Sequence, residues 1–61
     1  MIIDEARKAV GKRVVYTAGH GAQEYGEVTS VREPWVFVRY DGDLGSKATS
    51  PKMLALAEVS A

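Results

Sequence analysis

The alternation of apolar and polar residues is clearest between positions 26 and 41, where two runs of β-branched and aromatic residues flank Arg32-Glu33-Pro34. Because side chains alternate across a strand, each run predicts one inner and one outer face, and the triplet predicts the turn of a β-hairpin. In the second run the predicted inner residues are Val36, Val38 and Tyr40. The predicted outer residues are Trp35, Phe37 and Arg39.

The first run departs from strict alternation. Its apolar residues, Val28 and Val31, are separated by an odd step that would place them on opposite faces of a regular strand. A β-bulge near Thr29-Ser30 would return both valines to the inner face. The sequence therefore predicts a bulged first arm.

The N-terminal residues predict one or two helical turns. Asp4 is a good N-cap residue, cations follow toward the end of the segment, and Gly11 stands where a C-terminal glycine is expected. At helical spacing Ile3, Ala6 and Val10 share one side, enough to plug an open end of a barrel. An extended N-terminal strand is the alternative.

The remaining segments predict three more strands. Residues 12–17 alternate with Val14 and Tyr16 on one face, residues 47–50 form a short strand, and residues 54–59 form a last strand with Leu54 and Leu56 inward. Residues 18–24 and 41–46 are predicted loops. Ser50-Pro51-Lys52-Met53 predicts a single tight turn with Ser50 as its cap and Pro51 at its first position.

This order of elements predicts a single all-β domain of 61 residues, a small five-stranded SH3-like barrel with a 3-10 turn before its last strand. Residues 1–10 are the expected N-terminal extension and residues 11–59 the expected barrel. An OB-fold would need longer strands and a helix between the third and fourth strands. The predicted core consists of Val14, Val28, Val31, Val36, Val38, Leu54 and Leu56.

Gly11 to Tyr16, followed by His20-Gly21 and Gly26-Glu27-Val28, resembles the small SH3-like and Tudor-like barrels of bacteria, including KOW-type modules and the polymerase-interacting domain of transcription-coupled repair factors. In that polymerase-binding domain an apolar residue and a glycine follow His-Gly, whereas here Ala22-Gln23 follow. With Val28-Thr29-Ser30-Val31, Val36-Phe37-Val38-Arg39-Tyr40 and Pro51-x-x-Leu54 added, the pattern over residues 11–56 is similar to small proteins encoded by phages and prophages. The resemblance implies an accessory protein that docks on a host or viral protein and modulates transcription or host defence.

Composition narrows the functional classes. A chain of 61 residues buries only about 60% of its unfolded surface, so its stability is marginal and a homo-oligomer would help. The absence of cysteine favours a cytoplasmic location. Eight Lys and Arg balance eight Asp and Glu, so no global field attracts nucleic acid or a membrane. We expect no secretory signal and no membrane span.

The polar residues do not predict catalysis. His20 is the only histidine and has no Ser or Cys arranged around it, so a structural or partner-contacting role is expected. Gly19-His20-Gly21 lacks the residues of a phosphate-binding loop. Residues 41–46 resemble a calcium loop only superficially, because Gly45, Ser46 and Lys52 stand where ligands or the invariant glycine would be needed. We expect a non-enzymatic protein without a metal or cofactor.

Trp35 and Phe37 raise the main functional question. Either the N-terminal segment covers them, or they form an exposed patch that binds a protein or a second copy of the chain. The predicted partner-binding residues are Trp35, Phe37, Arg39, His20 and Tyr25.

Nucleic-acid binding is the alternative function. Bases would stack on the two aromatic side chains while nearby cations contact phosphates. The cations proposed for that role are Lys12, Arg13, Arg32 and Lys47. A weaker alternative is an oligomer that holds a small nucleotide between subunits.

Overall fold

The computed structural model describes residues 1–57 as a five-stranded antiparallel sheet preceded by a short helix. The predicted all-β class, the short N-terminal helix and the 3-10 turn before the last strand are confirmed. The elements in chain order are α1 (Ile3–Lys8), β1 (Arg13–Thr17), β2 (Gln23–Arg32), β3 (Trp35–Tyr40), β4 (Lys47–Thr49), the 3-10 turn (Pro51–Met53) and β5 (Leu54–Leu56).

The sheet is strongly curled. Its strand order is β4-β3-β2-β1-β5, so consecutive strands β4 and β5 lie at opposite edges. In a flat sheet these edges would be roughly 19 Å apart, at about 4.8 Å per strand spacing. The connection is mostly the turn Pro51–Met53, which rises only about 2.0 Å per residue. The sheet must bend to bring its edges within that reach, a geometry compatible with a small β-barrel.

The β2–β3 hairpin has the predicted bulge. Val28 lies opposite Val38 and Val31 opposite Val36, and the register shifts between Val28 and Ser30. The extra residue returns both valines of β2 to the inner face, where Val28 is fully buried and Val31 is half-buried against the core. Thr29 lies at the bulge, and its Oγ1 donates a hydrogen bond to the Phe37 carbonyl oxygen at 3.2 Å.

The core lies on the concave side of the sheet, beneath the helix. Val31 packs against it, as predicted, but Leu56 does not belong to it, because its side chain is 45% exposed. Leu56 lies on β5, opposite Val14 of β1. Because β5 is an edge strand of the sheet, no further strand covers the other side of Leu56. The buried apolar residues are Ala6, Ala9, Val14, Val28, Val36, Val38, Tyr40 and Leu54.

The N-terminal segment is helical, so the alternative of an extended strand is wrong. Two details of the prediction also need correction. Ile2, not Asp4, is the N-cap residue, and its backbone nitrogen donates to Glu5 Oε1 at 3.1 Å. Val10 is 48% exposed and Ala9 is buried in its place, because the helix ends at Lys8 and helical spacing no longer applies at position 10.

The chain leaves the helix through a glycine. Gly11 has φ of 86°, a conformation that residues with a side chain rarely adopt. Its nitrogen donates to the Val28 carbonyl oxygen at 2.8 Å, and the Val28 nitrogen donates to the Lys12 carbonyl oxygen at 3.1 Å. These bonds tie the end of the helix to the middle of β2.

Several predicted boundaries also change: β4 ends at Thr49 instead of residue 50, and Arg32 belongs to β2 instead of the hairpin turn. β1 begins at Arg13, and β2 begins at Gln23, so the first loop is shorter than residues 18–24. The last strand ends at Leu56, and the part of that prediction beyond residue 57 lies outside the described residues. Ser50 precedes the 3-10 turn as expected, but its side chain makes no capping hydrogen bond.

Candidate partner-binding face

The outer side of β3 carries the aromatic residues singled out from the sequence. Trp35 is 47% exposed, Phe37 is half-buried and Arg39 is exposed. The intervening Val36 and Val38 are fully buried, as alternation along a strand requires. The side chains that anchor the strand and those that face outward therefore belong to one rigid element.

The helix does not cover this side of the hairpin. It packs through Ala6 and Ala9 against the inner core, and its Arg7 reaches the hairpin turn through an ion pair with Glu33 at 2.5 Å. Trp35, the first residue of β3 after that turn, keeps nearly half of its surface. The expectation that the N-terminal segment covers Trp35 is therefore wrong.

The strand register arranges the outer residues of β2 and β3 in three cross-strand pairs, which we call the hairpin face. Phe37, in the middle pair, is half-buried and has small neighbours on both sides, Ser30 on β2 and Ala48 on β4. Beside it, Thr29 Oγ1 lies 2.6 Å from Ser46 Oγ and links the bulge to the loop before β4. The three pairs are Arg32 with Trp35, Ser30 with Phe37, and Glu27 with Arg39.

Charged residues on this face are available for intermolecular contact. Among residues 1–57 the ion pairs are Arg7–Asp4, Arg7–Glu33, Arg13–Asp41 and Lys47–Asp43, so Arg32, Glu27 and Arg39 take part in none of them. A side chain that is already in an ion pair would have to break that pair in order to contact a binding partner. These three side chains have none to give up within the described chain.

A bidentate ion pair lies beyond the Arg39 end of the face. Arg13 donates through Nη1 and Nη2 to the two carboxylate oxygens of Asp41, at 3.2 and 2.6 Å. These hydrogen bonds hold the pKa of Asp41 below its usual range and raise the pKa of Arg13. Arg13 is therefore engaged by Asp41, which limits its use as a phosphate contact.

The other predicted partner-binding residues lie at that same end. Tyr25 is 46% exposed on β2 opposite Val15, and its carbonyl oxygen accepts a hydrogen bond from the Asp41 nitrogen at 2.9 Å. His20 is exposed in the loop between β1 and β2. Trp35 starts β3 at the opposite end of the hairpin. The structure thus groups Trp35, Phe37 and Arg39 but separates His20 and Tyr25 from Trp35.

The cations proposed for nucleic-acid contact do not form one patch. Arg13 and Lys47 are paired with carboxylates, and Lys47 lies on the edge strand β4. Lys12 lies in the turn after the helix, where its backbone nitrogen donates a hydrogen bond to the Ala9 carbonyl oxygen. Of the four, Arg32 alone belongs to the hairpin face.

Sequence reasoning missed a groove of about 270 Å³ beside β4, lined by Tyr16, Tyr40, Thr49, Met53 and their neighbours. Tyr16 and Tyr40 meet edge to face with ring centroids 6.3 Å apart, and the Tyr40 hydroxyl lies 2.7 Å from Thr49 Oγ1. Burial raises the pKa of Tyr40. The groove joins residues distant in sequence, so local periodicity could not have indicated it.

Within residues 1–57 no three His, Cys, Asp or Glu side chains come together as metal ligands would. No helix in that part of the chain has the length and apolar character to cross a membrane. Comparison of the chain with family models, curated proteins and solved structures finds no match. The hairpin face therefore has to be interpreted from its own chemistry.

Proposed function

We propose that this protein is a non-enzymatic binding module whose hairpin face docks on a protein partner. The observation that carries the proposal is the 47% exposure of Trp35 on a strand of the sheet, where it pairs with Arg32 of β2. Tryptophan and arginine are enriched among the few residues that dominate protein interfaces. Here Arg32 lies opposite Trp35 on β2, and Arg39 lies further along β3 from Trp35.

The rigidity of the face supports this role. Trp35 and Phe37 alternate with Val36 and Val38, which are fully buried beneath them. A strand anchored in this way does not have to be ordered when a partner binds, which reduces the entropy lost on association. The residues beside the half-buried Phe37, Ser30 and Ala48, are small and do not extend over its ring as long side chains would.

The class of partner rests on the resemblance of residues 11–56 to small SH3-like proteins of phages and prophages. On that basis the chain is a cytoplasmic accessory protein that docks on a host or viral protein and modulates transcription or host defence. The curled sheet with a 3-10 turn before its last strand agrees with the SH3-like plan.

Nucleic-acid binding remains the competing function, and the charges favour it less. Glu27 lies within the hairpin face, and Arg13 and Lys47 are paired with carboxylates. Phosphate contacts would give affinity a steep dependence on salt, because binding releases counterions. A protein interface centred on Trp35 should show a shallow dependence.

The test is affinity capture with matched variants. The immobilised chain is exposed to bacterial lysate, and retained proteins are identified by mass spectrometry for the wild type, Trp35→Ala and Leu44→Ala. Leu44 is a matched control because it is a fully exposed apolar residue in the loop after β3. A specific partner should be retained by the wild type and by Leu44→Ala but lost with Trp35→Ala.

Purified partner then allows affinity to be measured. Trp35→Ala should weaken binding by roughly 2 kcal/mol, about thirtyfold, with little change in melting temperature. The proposal fails if Trp35→Ala lowers the melting temperature and leaves binding unchanged. Binding of the wild type to a single-stranded oligonucleotide, with an affinity that falls steeply with salt, would instead favour nucleic acid.

A further inference from the structure

The hairpin face has an internal symmetry in its chemistry. Along β3, Trp35 and Arg39 lie at equal distances on either side of Phe37. Across the hairpin, Arg32 is paired with Trp35 and Glu27 with Arg39. One end of the face therefore presents an aromatic ring and a cation, and the other presents a cation and a carboxylate.

A two-fold rotation makes this face complementary to itself. The axis lies in the plane between two copies, perpendicular to β3 and level with Phe37. Rotation about it places Trp35 of one copy over Arg39 of the other and Arg32 of one over Glu27 of the other. Each contact occurs twice, as in an isologous interface, and the two Phe37 rings meet on the axis.

We propose that a second copy of this chain occupies the hairpin face in this two-fold register. The inference rests on the proposed function, because it names the partner of the same face. An outside partner would compete with the second copy for the face.

The residue types that this register brings together attract each other. A guanidinium over the face of tryptophan is attracted by the ring, and arginine forms directional hydrogen bonds with carboxylates. The pairing also gives Arg32, which takes part in no ion pair among residues 1–57, a carboxylate. Ser30 and Ala48 leave room for the two Phe37 rings to pack with an offset.

A different two-fold axis, parallel to the strands, is less favourable. It would place Arg32 over Trp35 and Glu27 over Arg39 of the second copy. It pairs Glu27 with Arg39 but gives Arg32 only an aromatic ring, so one of the two arginines of the face gains no opposite charge. It also sets Phe37 against Ser30. The perpendicular axis is therefore the register that we propose.

The small size of the face sets the expected strength. Three residue pairs on each copy are far fewer than the roughly 20–30 residues a side of a standard interface. We therefore expect a weak dimer that dissociates on dilution. Sedimentation velocity over a wide concentration range should show a reversible monomer–dimer equilibrium.

Single variants test whether this face is the interface. Trp35→Ala and Arg32→Glu should each weaken dimerisation at least tenfold, whereas Leu44→Ala should leave the dissociation constant unchanged. Circular dichroism establishes that each variant is folded. Dimerisation that is unaffected by Trp35→Ala would exclude the face.

A mixture of two charge-reversal variants tests the register. Arg32→Glu sets two carboxylates against each other in its own dimer, and Glu27→Arg sets two guanidinium groups against each other. Each variant alone should be monomeric, and an equimolar mixture should recover dimers. A mixture that stays monomeric while the wild type dimerises would overturn the proposed register.

Glu27→Arg adds a cation between Arg13 and Arg39 in neighbouring strands and can fail to fold. In that case a double-mutant cycle with Arg32→Gln and Glu27→Gln replaces the mixture. The double variant should dimerise no more weakly than the worse single variant, because both changes remove the same contact. Full additivity would overturn the register.

The outcomes separate this inference from the proposed function. A wild-type chain that stays monomeric at all concentrations overturns the dimer, while capture of a partner that depends on Trp35 still supports the docking face. If Trp35→Ala affects neither dimerisation nor capture, both proposals fail.

Discussion

The two faces of β3 differ in almost every physical property although their residues alternate along one short strand. The inner face, with Val36, Val38 and Tyr40, is buried under the helix and the curled sheet. The outer face presents Trp35, Phe37 and Arg39 to solvent or only half covers them. The inner residues therefore stabilise the fold, and the outer residues are available for binding.

Under the proposed function, this division lets a very small domain combine stability with recognition. Burial of the valines fixes the backbone, and the fixed backbone sets the spacing of the aromatic and charged side chains on the other side. Changes to the inner face should unfold the protein, whereas changes to the outer face should alter binding alone. Substitutions of graded severity can test that separation.

The largest effect is expected at the centre of the inner face. Val38→Ala should lower the free energy of unfolding by about 2 kcal/mol or more, because it removes buried methyl groups and leaves a cavity. Urea denaturation followed by circular dichroism measures the change. Arg39→Ala, on the adjacent outer position, is the control and should shift stability by less than about 0.5 kcal/mol. Equal losses in both variants would contradict the division between faces.

A slightly smaller loss is expected where two strands approach closely on the inner side. A Cβ at Gly26 would lie 2.6 Å from the Arg39 carbonyl oxygen and 2.8 Å from Val38 Cγ1. Gly26→Ala should therefore force β2 and β3 apart and lower stability by roughly 1–2 kcal/mol. Gly45→Ala is the control, because no heavy atom lies within 4 Å of its added methyl group. A neutral Gly26→Ala would show that the hairpin is less rigid than its packing indicates.

The hairpin could be predicted from sequence because its signals are local. The odd step between Val28 and Val31 indicated the bulge, and alternation from position 35 to 40 identified the inner valines. The burial predicted for Leu56 and Val10 was wrong, because neither residue's surroundings follow from its own position in the pattern. Leu56 alternates correctly but lies on an edge strand, and Val10 follows the end of the helix. The alternation of residues in a strand does not show whether that strand lies at the edge or in the middle of the sheet.

The candidate face was predictable only in part. Alternation along β3 brought together Trp35, Phe37 and Arg39. The partner Arg32 depends on the length of the turn, and the partner Glu27 depends on the bulge, which shifts the pairings beyond it by one residue. The groove near Tyr16 and Tyr40 depends on the curl of the whole sheet and left no signal in the sequence.

A moderate effect is expected at the buried polar pair of the inner face. Tyr40→Phe removes the hydrogen bond to Thr49 and should lower stability by about 1 kcal/mol, as measured by urea denaturation at neutral pH. Tyr25→Phe is the matched control, because Tyr25 is exposed on the outer side. A loss as large in the control would mean that exposure does not separate the two tyrosines.

The same tyrosine predicts a pH dependence at the alkaline end. Burial raises the pKa of Tyr40 above that of the unfolded chain, so the folded protein favours the neutral phenol. Its contribution to stability is present below the unfolded pKa of about 10 and is lost as the pH rises through the folded pKa. Stability measured from pH 9 upward should fall more steeply in the wild type than in Tyr40→Phe. Identical slopes would contradict this role.

The smallest effect on stability is expected for the ion pair on the outer side. Hydrogen bonds from Arg13 lower the pKa of Asp41, so the pair stabilises the fold above the unfolded carboxyl pKa and loses its effect as the pH falls below about 4. Both side chains are largely exposed, so Arg13→Gln should change the midpoint of unfolding very little at neutral pH.

The carboxyl resonance of Asp41 in an NMR titration is the sensitive measurement, and its pKa should rise in Arg13→Gln. Arg39→Gln should raise it less, because Arg39 acts on Asp41 only through its charge and without a hydrogen bond. If Arg13→Gln destabilised the protein as much as Val38→Ala, the outer side would contribute to the fold as the core does, and the contrast between the two faces would not hold.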